Sequence, residues 1–88
     1  MKLTTEKANY MMQYNNGNLD LSFTNVTELP DNLVVEGNLS VRGTGVKKLP
    51  NNLKVKGYLD ISYTEISELP KCLIAYGNIN ISHTKIKR

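Results

Sequence analysis

The chain has 88 residues, a formal net charge of +3, 40% hydrophobic residues and a single cysteine. That suits one small domain near the size at which a single core is marginal, and it is too apolar for a chain that stays disordered. One cysteine excludes an internal disulfide and a cysteine-rich metal site, no apolar run approaches the roughly 18 residues of a membrane helix, and the small positive charge does not by itself imply a nucleic-acid partner.

The first sixteen residues, "MKLTTEKANYMMQYNN", differ in pattern from the rest of the chain. They contain no uninterrupted apolar stretch of the kind a signal peptide needs, which points to the cytoplasm of the producing or infected cell. Thr4 or Thr5 can cap a helix, Glu6 falls in its first turn, and Ala8, Met11 and Met12 share one helical face. "NNG" is a stop signal. The expectation is a helix over residues 5–14, so that residues 1–16 cap a core built from the rest. The alternative is a lead-in with no fixed structure.

From Gly17 the chain repeats one phrase: "GNLDLSFTNVTELPDNLVVE", "GNLSVRGTGVKKLPNNLKVK", "GYLDISYTEISELPKCLIAY" and the partial "GNINISHTKIKR". The units are 17–36, 37–56, 57–76 and 77–88. Gly17, Gly37, Gly57 and Gly77 hold the register, with Thr24, Thr44, Thr64 and Thr84 and with Pro30, Pro50 and Pro70. Leu19 and Leu21 alternate with polar residues, as do Leu39 and Val41, Leu59 and Ile61, and Ile79 and Ile81, which is the period of a half-buried strand. A second start at Val35, Val55 and Ala75 places the glycines at a bulge or bend. Beyond the threonine come Val26, Val46, Ile66 and Ile86, then Leu-Pro and a short turn. Twenty residues leave no room for a return helix. One unit cannot bury its own leucines, whereas stacked units can, with parallel strands about 4.8 Å apart. The threonines are expected to bond the backbone of the next unit.

"LDLSFTNVTELPDNL" and "LDISYTEISELPKCL" resemble the short bacterial type of leucine-rich repeat, L-x-x-L-x-[LV]-x-x-N-x-[LI]-x-x-L-P, over residues 17–88. The resemblance implies a predominantly β chain: a right-handed solenoid with a parallel sheet of about four strands and a non-helical convex side. This repeat type occurs in secreted bacterial effectors and in small phage or prophage proteins. Two departures stand out. Threonine replaces the family's asparagine, and Val35 and Val55 lie one position before its first leucine. Nothing corresponds to the effectors' catalytic cysteine domain.

No enzymatic, metal or cofactor pattern is present. His83 has no partner at triad or ligand spacing, and Cys72 reads as a bland, partly buried thiol. Asp20 and Asp60 are two units apart, roughly 9–10 Å, with Ser40 between them. Charge is segregated: unit one is acidic and unit two basic. The slot of Glu28, Lys48, Glu68 and Arg88 alternates in sign, and Glu36 with Lys56 and Glu65 with Lys85 are expected to pair between units.

The outward strand positions offer a binding face centred on Arg42, Tyr58 and Tyr63 with Phe23, Asp20 and Asp60, where Gly43 leaves a notch between the Phe23 and Tyr63 rings. The leading expectation is a non-enzymatic protein-binding module, such as a small inhibitor docking on a host protein. The other is a self-assembling fragment, in which Asn78, Ile79, Asn80, Ile81 and Ile86 form an edge that pairs with a second copy across a two-fold axis. Lys85, Lys87 and Arg88 oppose such pairing. Nucleic acid is the less favoured partner, since basic unit two has little aromatic interleaving.

Overall fold

The computed structural model describes residues 1–86. Helix α1 (Thr5–Gln13) is followed by seven two-residue strands: β1 (Leu19–Asp20), β2 (Val34–Val35), β3 (Leu39–Ser40), β4 (Lys54–Val55), β5 (Leu59–Asp60), β6 (Ile74–Ala75) and β7 (Ile79–Asn80). They form two parallel sheets, of order β1-β3-β5-β7 and β2-β4-β6. Every pairing joins residues twenty apart, as Leu19 with Leu39 and Val35 with Val55. The repeat register is therefore the sheet register.

Alternation explains which side is inside. Leu19, Leu39, Leu59, Val41 and Ile61 are fully buried, and Leu21 is nearly so. The ladder beneath them is regular: Leu19, Leu39 and Leu59 N–H groups donate to the Asn38, Tyr58 and Asn78 carbonyls at 2.8, 3.0 and 2.9 Å. The three-stranded sheet is a separate surface, because the chain bends between its strands and the next at residues 36–37, 56–57 and 76–77. Glycine is required at that bend. Successive glycines stack, Gly37, Gly57 and Gly77 N–H donating to the glycine carbonyl of the preceding unit at 2.8–3.0 Å. A Cβ on Gly57 would overlap the Asn38 side chain and lie 2.9 Å from the Gly37 carbonyl oxygen.

That overlap identifies the polar ladder between units, and it is asparagine. Asn18 Oδ1 accepts from Asn38 N–H and Asn38 Oδ1 from Tyr58 N–H, both at 2.8 Å. The threonines instead bond within their own unit. Thr24, Thr44, Thr64 and Thr84 hydroxyls donate to the Leu21, Val41, Ile61 and Ile81 carbonyls at 2.6–2.7 Å. An i−3 carbonyl lies within reach of a short hydroxyl, whereas the next unit's backbone is already satisfied by the ladder.

α1 has Thr4 as its N-cap, accepting from Lys7 N–H at 3.1 Å, and ends one residue earlier than expected, with Tyr14 as C-cap. Ala8 and Met12 are buried in the core. Residues 1–3 add an extended segment that the sequence pattern does not announce. Lys2 pairs in parallel with Glu28, Leu3 N–H donates to the Glu28 carbonyl at 2.8 Å, and Leu3 is 1% exposed.

Burial falls along the chain. Leu29 and Leu49 are buried while Leu69 is 37% exposed, and Leu73, Ile79, Ile81 and Ile86 are only partly buried. Cys72 is exposed, not partly buried as expected. Asn32 and Asn52, in the equivalent slot, adopt positive φ of 64° and 58°, a conformation Cys72 does not share. Of the expected charge pairs, Lys56 and Glu36 meet at 3.0 Å. Glu28 pairs with Lys2 at 3.7 Å rather than with Lys48, because the N-terminal segment runs alongside it. The expected role of Arg88, like that of Lys87, lies outside the described residues.

Candidate binding face

On the outward side of the four-stranded sheet Asp20, Ser40, Asp60 and Asn80 form a polar row, and in each unit this side chain accepts from the residue two further on. Ser22 N–H and O–H donate to Asp20 Oδ1 at 3.0 and 2.6 Å, and Ser62 repeats the arrangement on Asp60. Asn80 does the same for Ser82 at 3.1 and 2.8 Å. Ser40 Oγ accepts the Arg42 N–H at 3.4 Å. These are turn-forming contacts that close the strand end. The bonds from Ser22, the hydroxyl first and then the amide, hold the Asp20 carboxyl below its ordinary value of 3.8, against a smaller opposing effect of burial.

Arg42 is fixed by the neighbouring unit. Its Nη1 donates to Ser62 Oγ at 3.2 Å, and its guanidinium lies 4.6 Å from the Tyr63 ring centroid. Tyr63 in turn stacks on His83, centroids 4.3 Å apart and planes 16° apart. The Phe23 ring lies over Gly43, where an added Cβ would meet it at 2.6 Å. The notch expected at Gly43 is thus filled by Phe23. Phe23, Gly43, Tyr63 and His83 form one row along the sheet's end, and the stacking partner of Tyr63 is a signal the repeat register alone contains.

The backbone of this row is unusual. Phe23, Tyr63 and His83 have φ of 58°, 58° and 55°, and Gly43 has 68°. The left-handed region costs a side-chain-bearing residue about 1–2 kcal/mol, and for a bulky ring it is an outlier. The rings gain little burial in exchange: Phe23 is 73% exposed and Tyr63 48%.

A small concavity of about 240 Å³ opens on the sheet face between Asp20, Asn38, Arg42 and Tyr58, with Asn15 on its rim. Tyr58 is half exposed. Asp20, Arg42 and Tyr58 therefore share one depression, Tyr63 and Phe23 belong to the row beside it, and Asp60 is linked to Arg42 through Ser62. The expected edge residues lie at the last strand of this sheet, away from the depression. Ile79 and Ile81 are partly buried against the core with Ile86, and Asn78 and Asn80 are exposed on the outermost strand among the described residues.

The basic residues of unit two do not gather. Arg42 follows β3, Lys54 belongs to β4, and Lys47 and Lys48 line a groove of about 590 Å³ on the third side, facing Glu28 and Asp31. Among the described residues no group of acids, histidine and cysteine could hold a metal ion, and no helix is long and apolar enough to cross a membrane. The chain matches no protein-family model, no curated protein and no solved structure.

Proposed function

We propose that the chain is a leucine-rich-repeat-type solenoid acting as a non-enzymatic protein-binding module, and that its contact surface is the outward face of the four-stranded sheet with its aromatic row. The carrying observation is the conformation of Phe23, Tyr63 and His83. Where the return turns need positive φ, the chain uses Asn32 and Asn52, which tolerate it; at the sheet's end it uses exposed rings. Residues held in sparsely populated backbone regions cluster at active sites, ligand clamps and switch regions, and Tyr and Arg are common anchors of protein interfaces. A docking inhibitor of a host protein is the form of this function that the resemblance suggests. Nucleic acid is disfavoured because unit two's cations are spread over three sides and Lys56 is held by Glu36.

The test is affinity capture from a host lysate with quantitative comparison of variants. Arg42→Glu, Tyr58→Ala and Tyr63→Ala should each deplete the same partner, and Lys54→Glu, on the other sheet, should not. Equal capture by all four variants refutes the assignment.

A second reading is self-association through the three-stranded sheet, whose outward Ile74 and Tyr76 are 46% and 67% exposed. Light scattering tests it. A mass near twice 9.9 kDa that Ile74→Lys halves supports a dimer, and a constant monomer mass removes it.

A further inference from the structure

We propose that the depression between Asp20 and Tyr58 is a receptor for a cationic side chain, arginine or lysine, of the protein partner; this rests on the binding-face reading above. Asp20 and Asp60 occupy the same slot and make the same contacts to serine, yet their surroundings differ. Asp60 has a cation one hydroxyl away, since Ser62 Oγ receives Arg42 Nη1 and donates to Asp60. Asp20 has no such neighbour. Among the described residues it enters no ion pair, its Oδ1 takes both Ser22 donors, and its Oδ2 receives no protein hydrogen bond. Unit one, Gly17–Glu36, contains no lysine or arginine.

Two further features favour a positive ligand. α1 ends at Gln13, and Asn15, just beyond that end, lines the depression. The carbonyl end of a helix carries partial negative charge, and no basic residue lies in the last turn of α1. On the opposite wall the Tyr58 ring is half exposed, and a cation over a tyrosine face is attracted by the ring. Arg42 also borders the site, but its guanidinium is drawn toward Ser62 and Tyr63. A carboxylate oxygen without a protein partner and an aromatic wall thus border a space of about 240 Å³, which suits one side-chain head.

The experiment is an amide-shift titration by NMR with N-acetyl-arginine methylamide at millimolar concentrations, and N-acetyl-glutamine methylamide as the neutral control. The arginine probe should give saturating shifts at Asp20, Ser22, Ser40 and Tyr58, and the control none. Asp20→Asn should weaken the probe about ten-fold or more, the loss of one charge-assisted bond. This variant preserves the turn, because Asn80 already makes the same contacts to Ser82. Identical titrations of wild type and Asp20→Asn, shifts with the neutral probe, or no localised shift each overturn the assignment. With a partner in hand, unchanged affinity of Asp20→Asn beside loss in Arg42→Glu would remove the receptor and leave the face intact.

Discussion

Gly57→Ala should destabilise the domain far more than one methyl group suggests. The added Cβ overlaps the Asn38 side chain, which must leave, and it lies 2.9 Å from the Gly37 carbonyl oxygen, which belongs to the backbone and cannot leave. Expelling Asn38 forfeits its bond to Tyr58 N–H, about 0.5–1.5 kcal/mol. Overpacking against the glycine stack adds about 1–3 kcal/mol. The sum, about 1.5–4.5 kcal/mol, corresponds to a melting temperature lower by roughly 6–36 °C for a domain of this size. A double-mutant cycle with Asn38→Ala isolates the mechanism. Alone, Asn38→Ala should cost about 0.5–1.5 kcal/mol. In the Gly57→Ala background it should cost nothing, because the side chain is already displaced, so the coupling energy should equal the single-mutant cost. Urea denaturation of the four proteins measures all terms. Additive effects, or a Gly57→Ala variant as stable as wild type, would refute the glycine–asparagine stack.

Thr44→Val should cost about 1–2 kcal/mol in denaturant melts, since the Val41 carbonyl loses the hydroxyl but keeps the Thr44 N–H; a neutral result would remove the threonines from the account. Leu3→Ala should cost about 2–5 kcal/mol, as expected for a fully buried leucine, whereas a dangling N-terminus would show no effect. The folded Asp20 carboxyl titrates below 3.8, so its contribution to stability is complete above that pH and is lost as the pH falls through the lower folded value. Asp20→Asn, which removes the charge, should therefore lower stability slightly in the neutral region and converge on wild type once the pH falls below the folded value, so that the acid limb is flatter, as followed by melts across pH.

The twenty-residue register was legible because glycine, threonine and proline recur at fixed spacing, and parallel pairing of residue i with i+20 follows from it. The apolar alternation likewise marked Leu19, Leu39 and Leu59 as inward. Other features depend on partners that a pattern does not name. The threonine position is periodic, but only geometry shows that its hydroxyl turns back to its own unit. Asn18 and Asn38 are periodic too, and Tyr58 ends their ladder where asparagine would continue it. Residues 1–3 lie outside the repeat and find their place through a backbone pairing that no side-chain spacing encodes. At the candidate face, Arg42, Tyr58 and Tyr63 could be nominated from their outward positions. The left-handed backbone at Phe23, Tyr63 and His83 could not, because aromatic residues ordinarily avoid that region.

The measurement that bears most directly on the binding-face claim is a paired one on Phe23→Asn: melting temperature and affinity for the captured partner, on the same protein. Asparagine accepts the conformation, as Asn32 and Asn52 show, and relief of up to about 1–2 kcal/mol of backbone strain outweighs the packing of the ring on Gly43. An unchanged or raised melting temperature together with weakened binding is expected. A variant that melts lower and binds as tightly as wild type would show that the ring serves the fold, and would contradict the claim that the strained aromatic row is a contact surface.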